Sequence, residues 1–249
     1  MGKFVCCYLK IVIVVMILLC VLSEVTCLLE KNKVAYDRIY NKFIKRCFGI
    51  VISGTALVFL WPLYLILSIA IVIEDGFPVF YRADRGGYRN KIFKICKFRS
   101  MVKNADKIGG GTTALHDPRI TKVGNILRKT KLDELPQLGQ VFLGKMSLIG
   151  PRPELVKYVN LYNGIDKDIL MVRPGITDYS SIEFINLDEI VGGENADEMY
   201  EQFVLQKKNA LRVKYAHTVS FHVDVYILFK TLFAVFNKGY GFLVKKEHR

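Results

Sequence analysis

Residues Cys47 to Ile73 form a run of 27 with no charged side chain, and both flanks of the run are basic. A helix crosses the hydrocarbon core of a bilayer with about 20 apolar residues, so the run is long enough to span. Two features complicate a simple crossing. Pro62 stands near the middle, where it removes a backbone donor and crowds the preceding turn. Lys42, Lys45 and Arg46 precede the run, and Arg82, Arg85, Arg89 and Lys91 follow it. Basic flanks favour the cytoplasmic side. A crossing helix cannot place both flanks there, whereas a re-entrant helix that enters, breaks at Pro62 and returns can. A proline-kinked span is the competing reading, and physics alone leaves it open.

The charge of the chain sits around this run. Residues 31–46 carry a net charge of +5 and residues 82–131 a net +11, out of +13 for the whole chain. Residues 132–249 are close to neutral at −1. With 51% hydrophobic residues the chain is not disordered, because disorder needs low hydrophobicity. Six cysteines in 249 residues exclude a disulfide scaffold. They are expected to be buried, inert thiols, and the four histidines show no metal-ligand spacing. A second apolar segment runs from Ile11 to Ser23 and could reach spanning length with Val25 to Leu29. Val25-Thr26-Cys27 makes a poor lipobox, so an anchor is expected rather than a cleaved signal. The basic excess after it favours an N-terminus outside and the remainder in the cytoplasm.

Beyond the apolar run, side-chain alternation in Val79–Ala83 and Lys91–Phe98 around Arg85-Gly86-Gly87 predicts a β-hairpin. Gly109 to Thr113 reads as a loop and lacks the Gly-Lys-Ser/Thr of a phosphate-binding P-loop. A basic helical stretch begins at Ile120. Asp197 to His217 reads as an amphipathic helix, and Ser220 to Phe236 as either a core helix or one lying in the membrane interface.

Lys131-Leu132-Asp133-Glu134-Leu135-Pro136-Gln137 is the most informative run. Two adjacent carboxylates within a basic field can hold Mg²⁺ through one and attack phosphorus with the other, while cations screen the incoming anion. An isolated Asp-Glu pair more often decorates a helix start, where acids suit the dipole. Four further groups present arginine on rigid or terminal positions: Lys97-Phe98-Arg99, Asp117-Pro118-Arg119, Gly150-Pro151-Arg152-Pro153 and Arg173-Pro174-Gly175. Proline restricts the backbone around such an arginine, which suits a fixed bidentate phosphate contact. Together they point to a polyanionic ligand. A membrane-anchored basic module that simply binds anionic lipid or nucleic acid is the alternative. It leaves the acidic pair unexplained.

In this order, Lys97-Phe98-Arg99-Ser100-Met101, Asp117-Pro118-Arg119-Ile120-Thr121, Leu132 to Gln137, Met146 to Pro153 and Arg173 to Thr177 resemble the bacterial sugar transferases, the monotopic polyprenyl-phosphate phosphoglycosyl transferases. The resemblance covers roughly Lys42 to Asn237. It implies transfer of a sugar-1-phosphate from a nucleotide-diphospho-sugar, usually a UDP-sugar, to undecaprenyl phosphate with release of UMP, a first step in surface polysaccharide synthesis. It implies Asp133 as the nucleophile that carries a covalent phosphosugar, Glu134 as the ligand of a Mg²⁺ cofactor, and a membrane break at Pro62. Lys97, Arg99, Arg119 and Arg152 would contact phosphates or organise the dyad, and Arg128 and Arg173 complete the candidate phosphate-binding set. Two departures stand out: Trp61 precedes the proline where the family often has serine, and Asp178-Tyr179 stands where many members have glycine.

The expected architecture is mainly α with a small β-hairpin, an α+β chain associated with the membrane through a re-entrant helix and interfacial amphipathic helices. Residues 1–30 form the N-terminal hydrophobic segment, 31–76 the interfacial and re-entrant helices, and 77–249 the catalytic domain on the cytoplasmic face of the bacterial inner membrane. The lipid bilayer is an expected partner, nucleic acid is not, and homo-oligomerisation stays open.

Overall fold

The computed structural model describes residues 2–105, 117–187, 190 and 196–247. The loop predicted at Gly109 to Thr113 lies outside them. The chain opens with two long apolar helices, α1 (Gly2–Leu29) and α2 (Lys45–Asp75). A hairpin follows, β1 (Phe80–Gly86) and β2 (Ile92–Phe98), paired antiparallel from Phe80–Phe98 to Gly86–Ile92. Then come α3 (Lys122–Thr130), a 3-10 turn (Leu132–Glu134) and α4 (Gln137–Phe142). Strand β3 (Ser147–Ile149) is followed by the short α5 (Val156–Val159), a 3-10 segment (Gly164–Met171), β4 (Gly175–Thr177) and α6 (Tyr179–Glu183). The chain continues through α7 (Ala196–Met199), a π-helical turn (Tyr200–Val204), α8 (Leu205–Thr218) and α9 (Phe221–Glu247).

This is the mainly helical chain with a small hairpin that the pattern predicted. The amphipathic stretch near Asp197–His217 is helical but contains the π turn. One element had no sequence signal: β3 and β4 pair in parallel, Ser147 with Gly175 and Ile149 with Thr177.

The two apolar helices are long and apolar enough to cross a membrane, over Cys6–Leu29 and Tyr40–Asp75. Helix α2 does not stop at Pro62. It continues to Asp75 with the proline inside it. Proline removes only its own N–H, and its fixed φ is helical. Every further backbone group freed within an apolar surrounding would cost several kcal/mol. Helical bonding therefore resumes on both sides of the proline.

Contacts run along the whole of α2. Near its start, Arg46 donates to the carbonyls of Val141 and Phe142 at the end of α4, the latter at 2.7 Å. Past Pro62, the Tyr64 hydroxyl donates to the Leu135 carbonyl. At its end, Glu74 accepts the Lys122 and Val123 N–H groups at 2.7 and 2.9 Å, so it caps α3 from outside, beside the Thr121 hydroxyl that caps it from within. Arg46 and Glu74 stand near opposite ends of this helix. Both are bonded to the same polar body.

The opposite face of α2 is bare. Val58, Phe59, Trp61, Leu65, Ile66, Ile69 and Ile73 are exposed, as are Leu18, Val21 and Leu28 of α1 and Phe229, Leu232, Phe233 and Phe236 of α9. An apolar surface of this extent marks a membrane or partner contact. The cysteines share it. Cys6, Cys7 and Cys47 are exposed and none of the six is buried in the chain's own fold, which corrects the expectation of buried thiols. Inside, Tyr40, Ile44 and Phe48 pack with Ile149, Val172, Tyr215 and Ile227. A buried Lys45–Asp224 ion pair at 2.9 Å pins α9 to the start of α2. Packing of Ile227 on one side and exposure of Phe229 and Phe233 on the other resolve α9 as amphipathic.

Candidate active site

The acidic pair sits on the 3-10 turn between α3 and α4. Lys131 opens that turn in the left-handed conformation, φ 61° and ψ 14°, which reverses the chain after α3 and turns Asp133 and Glu134 inward. Both are buried, at 6% and 8% exposure. Phe98, Leu127 and Ile71 pack together here with Tyr64, Leu132 and Leu135, so the turn rests on α2, α3 and β2 at once.

The two carboxylates live in opposite surroundings. Glu134 is clamped. Arg152 donates through Nη1 to Oε2 at 2.8 Å and through Nη2 to Oε1, a bidentate fork, and Lys97 Nζ lies 3.3 Å from Oε1. Burial would raise its pKa, but Arg152 and Lys97 outweigh burial and hold the carboxyl well below its ordinary value. Asp133 has no hydrogen bond or ion pair with any described residue. Burial pushes its pKa up, the neighbouring Glu134 adds to the rise, and Lys97, Lys131 and Arg128 oppose it. One carboxylate is a neutralised, oriented anchor. The other is a desolvated, unbonded anion, which is the condition of a reactive oxygen nucleophile.

A scaffold behind Arg152 fixes its reach. Gly150 and Gly175 approach so closely that a Cβ on Gly150 would lie 2.5 Å from the Arg173 carbonyl. Glycine at both positions lets the backbones bond: Gly150 N–H to Thr177 O at 2.9 Å and Gly175 N–H to Pro151 O at 3.0 Å. The Arg152 guanidinium also donates to the Ile176 carbonyl, and its backbone N–H donates to Asp178 at 3.2 Å. Asp178 is fully buried and caps α6 through the Ser181 N–H. It therefore supports Arg152 at the position where many members of the resembled family have glycine. From behind, Glu154 accepts from Arg212 at 2.9 Å and from the Tyr200 hydroxyl.

The remaining candidates divide. Arg128 lies within electrostatic range of Asp133. Arg99 is buried, pairs with Asp75 at 3.1 Å and donates to the Asp75 and Gly76 carbonyls, tying the hairpin to the end of α2. Arg119 forms a bidentate pair with Asp117 and donates to the Ala105 carbonyl. Arg173 lies over the Tyr88 ring at 5.1 Å. The contacts of these three tie them to other parts of the fold. Lys131, Asp178 and Tyr64 are additions. Lys131 stands in the same motif run, but its neighbour-facing role follows only from the left-handed backbone.

Among the described residues, no three His, Cys, Asp or Glu side chains gather as a metal site. Magnesium needs fewer, because it commonly takes one or two carboxylates and completes its shell with phosphate oxygens and water. Glu134 Oε2 carries a single donor. The free lone pairs on Glu134 are those that would hold a magnesium ion, which would supply charge neutralisation at substrate phosphates.

A family described as bacterial sugar transferase matches residues 40–238. The chain is 34% identical over 200 residues to the UDP-glucose:undecaprenyl-phosphate glucose-1-phosphate transferase of Escherichia coli strain K12, covering 79% of this chain and 41% of that protein. It is 35% identical over 206 residues to the exopolysaccharide production protein ExoY of Sinorhizobium fredii, covering 77% and 84%. To the UDP-N-acetylgalactosamine-undecaprenyl-phosphate N-acetylgalactosaminephosphotransferase of Aeromonas hydrophila it is 34% identical over 205 residues, covering 80% and 45%. The chain thus spans less than half the length of two of these relatives and most of the third.

Proposed function

The chain belongs to the bacterial sugar transferase family, and on that premise we propose that it moves a sugar-1-phosphate from a UDP-sugar to undecaprenyl phosphate. The observation that carries this reading is the split dyad: Asp133 bare, Glu134 clamped. An Asp133 oxygen attacks the sugar-bearing phosphorus. The bond from that phosphorus to the bridging oxygen breaks, and UMP leaves with the electron pair. An oxygen of undecaprenyl phosphate then attacks the acyl phosphate, the bond to Asp133 breaks, and the carboxylate is restored. Lys97 and Arg152 keep Glu134 ionised and oriented, and prevent two adjacent anions from repelling the diphosphate. A magnesium ion held at Glu134 would supply further charge neutralisation at the phosphate oxygens.

In this reading both ends of α2 lie on the cytoplasmic face. Support comes from the polar contacts of Arg46, Tyr64 and Glu74 with one body, which a hydrocarbon layer about 30 Å thick could not enclose. Cysteines introduced at Lys42 and Arg85, in a background cleared of the exposed native thiols, label from the same side. Labelling from opposite sides rejects this topology.

The chemical test uses the full-length protein with a UDP-sugar panel and undecaprenyl phosphate. Wild type releases UMP and, without acceptor, carries a phosphosugar adduct on Asp133 visible by mass spectrometry. Asp133→Asn does neither. Normal UMP release by that variant rejects the mechanism, and binding without UMP release by wild type favours a basic lipid-binding module.

A further inference from the structure

Four cations surround the two carboxylates: Lys97, Arg152, Arg128 and Lys131. Two are committed, since Lys97 and Arg152 both contact Glu134. Arg128 and Lys131 are not: neither side chain makes a hydrogen bond or ion pair with any described residue. Arg128 stands in the last turn of α3, and Lys131 caps that turn, its backbone N–H donating to the Arg128 carbonyl at 3.3 Å. Four positive and two negative charges leave a surplus of two positive charges beside Asp133. A nucleotide-diphospho-sugar carries one negative charge on each of its two phosphates.

Lys131 has a second peculiarity. It ends α3 in the left-handed conformation, φ 61°, a position that favours glycine because a Cβ crowds the following carbonyl. A lysine there gives up backbone ease and places a cation one residue from the turn that carries the nucleophile. Backbone held in sparsely populated conformations clusters at functional sites. The residue also stays open to solvent, so an incoming anion can reach it.

We propose that Lys131 is a substrate-binding residue whose ammonium, together with Arg128, seats the donor diphosphate beside the Asp133 carboxylate. The proposal rests on the transferase reading above. The same oxyanion chemistry would suit the phosphate of the lipid acceptor, and the two half-reactions separate these sources.

The experiment compares full-length wild type with Lys131→Gln, Lys131→Arg and Lys131→Gly, using the donor identified by the UDP-sugar panel. One arm follows the UMP burst without acceptor, and the other follows steady-state turnover with undecaprenyl phosphate varied. Lys131→Gln should lower the burst rate and donor kcat/KM about ten- to hundredfold, the weight of a charge-assisted phosphate contact, and leave the acceptor KM unchanged. Lys131→Arg should restore most of the burst. Lys131→Gly should melt no lower than wild type, its backbone relieved, yet share the Lys131→Gln defect. A Lys131→Gln protein with wild-type burst and donor kcat/KM overturns the proposal. So does a defect confined to the acceptor KM, which would assign the lysine to the lipid phosphate. Asp133→Asn separates the levels: UMP release surviving there rejects the transferase reading, whereas loss there with an intact Lys131→Gln rejects only the role of Lys131.

Discussion

Arg152 lies between two prolines, Arg173 directly before one, and the two turns are joined back to back by the β3–β4 ribbon. Their sequence settings are nearly the same, yet Arg152 clamps Glu134 while Arg173 lies over the Tyr88 ring. A proline-stiffened turn presents an arginine firmly. It does not say to what. The pairing of Gly150 with Thr177 and of Gly175 with Pro151 fixes where the two turns stand, and each arginine meets the partner found there.

The largest test of that contrast is Arg152→Ala. It leaves Glu134 buried with Lys97 alone, so turnover should fall about 10²- to 10³-fold, as for loss of a preorganised charge contact. Stability should fall by about 3 kcal/mol or more, because one partner of a buried pair is stranded. Arg152→Lys should recover little of the turnover, since an ammonium cannot form the two-point fork. UMP assays and thermal melts on the same preparations check both. Near-normal turnover in Arg152→Ala would remove the distinction between the two arginines.

Arg99→Ala should behave differently. Arg99 ties the hairpin to α2, so the expected loss is about 2–3 kcal/mol of stability, with turnover per folded molecule largely kept. A selective loss of turnover would return Arg99 to the phosphate set.

The dyad gives a pH signature. Asp133 must be ionised to attack, and burial first, then Glu134, raise its pKa above the ordinary aspartate value. The acid limb of the kcat/KM–pH profile of the wild type should therefore lie above that value. The stability signs are opposite for the two groups. Glu134, lowered in the fold, contributes stability above its unfolded pKa and loses it as pH falls through its folded value. Asp133, raised in the fold, costs stability increasingly as pH rises above its unfolded pKa, and the cost is complete above its folded value. Asp133→Asn should therefore melt higher than wild type at neutral pH while losing all turnover. A lower melting temperature would contradict the bare, desolvated state of this carboxylate.

Arg173→Ala is expected to have the smallest effect, about 0.5–1 kcal/mol from loss of its contact with Tyr88, and no change in donor kcat/KM.

Several features were legible before any fold was known. The hairpin follows from alternating side chains around Gly86-Gly87, and α3 from a basic helical stretch behind the Thr121 cap. The dyad was legible because two carboxylates next to a strongly basic block need a reason. The β3–β4 ribbon was not, since three-residue strands separated by the Arg152 turn, α5 and a 3-10 segment leave no periodic trace. The exposed cysteines were misjudged because a thiol's habit is burial. Here several sit on apolar faces that the chain itself does not cover.

The sequence by itself determined the membrane-seeking segments, the charge blocks beside them and the presence of an acidic pair within a cationic field. Those are properties of composition and local order, and hydrophobicity and charge act without a fold. Tertiary structure alone decided which cations serve the pair. Lys97 and Arg152 arrive from a distant strand and a distant turn, while Arg99, Arg119 and Arg173 are drawn to other partners. Coulomb and hydrogen-bond energies depend on separations of a few ångströms, and only the packed chain sets those separations.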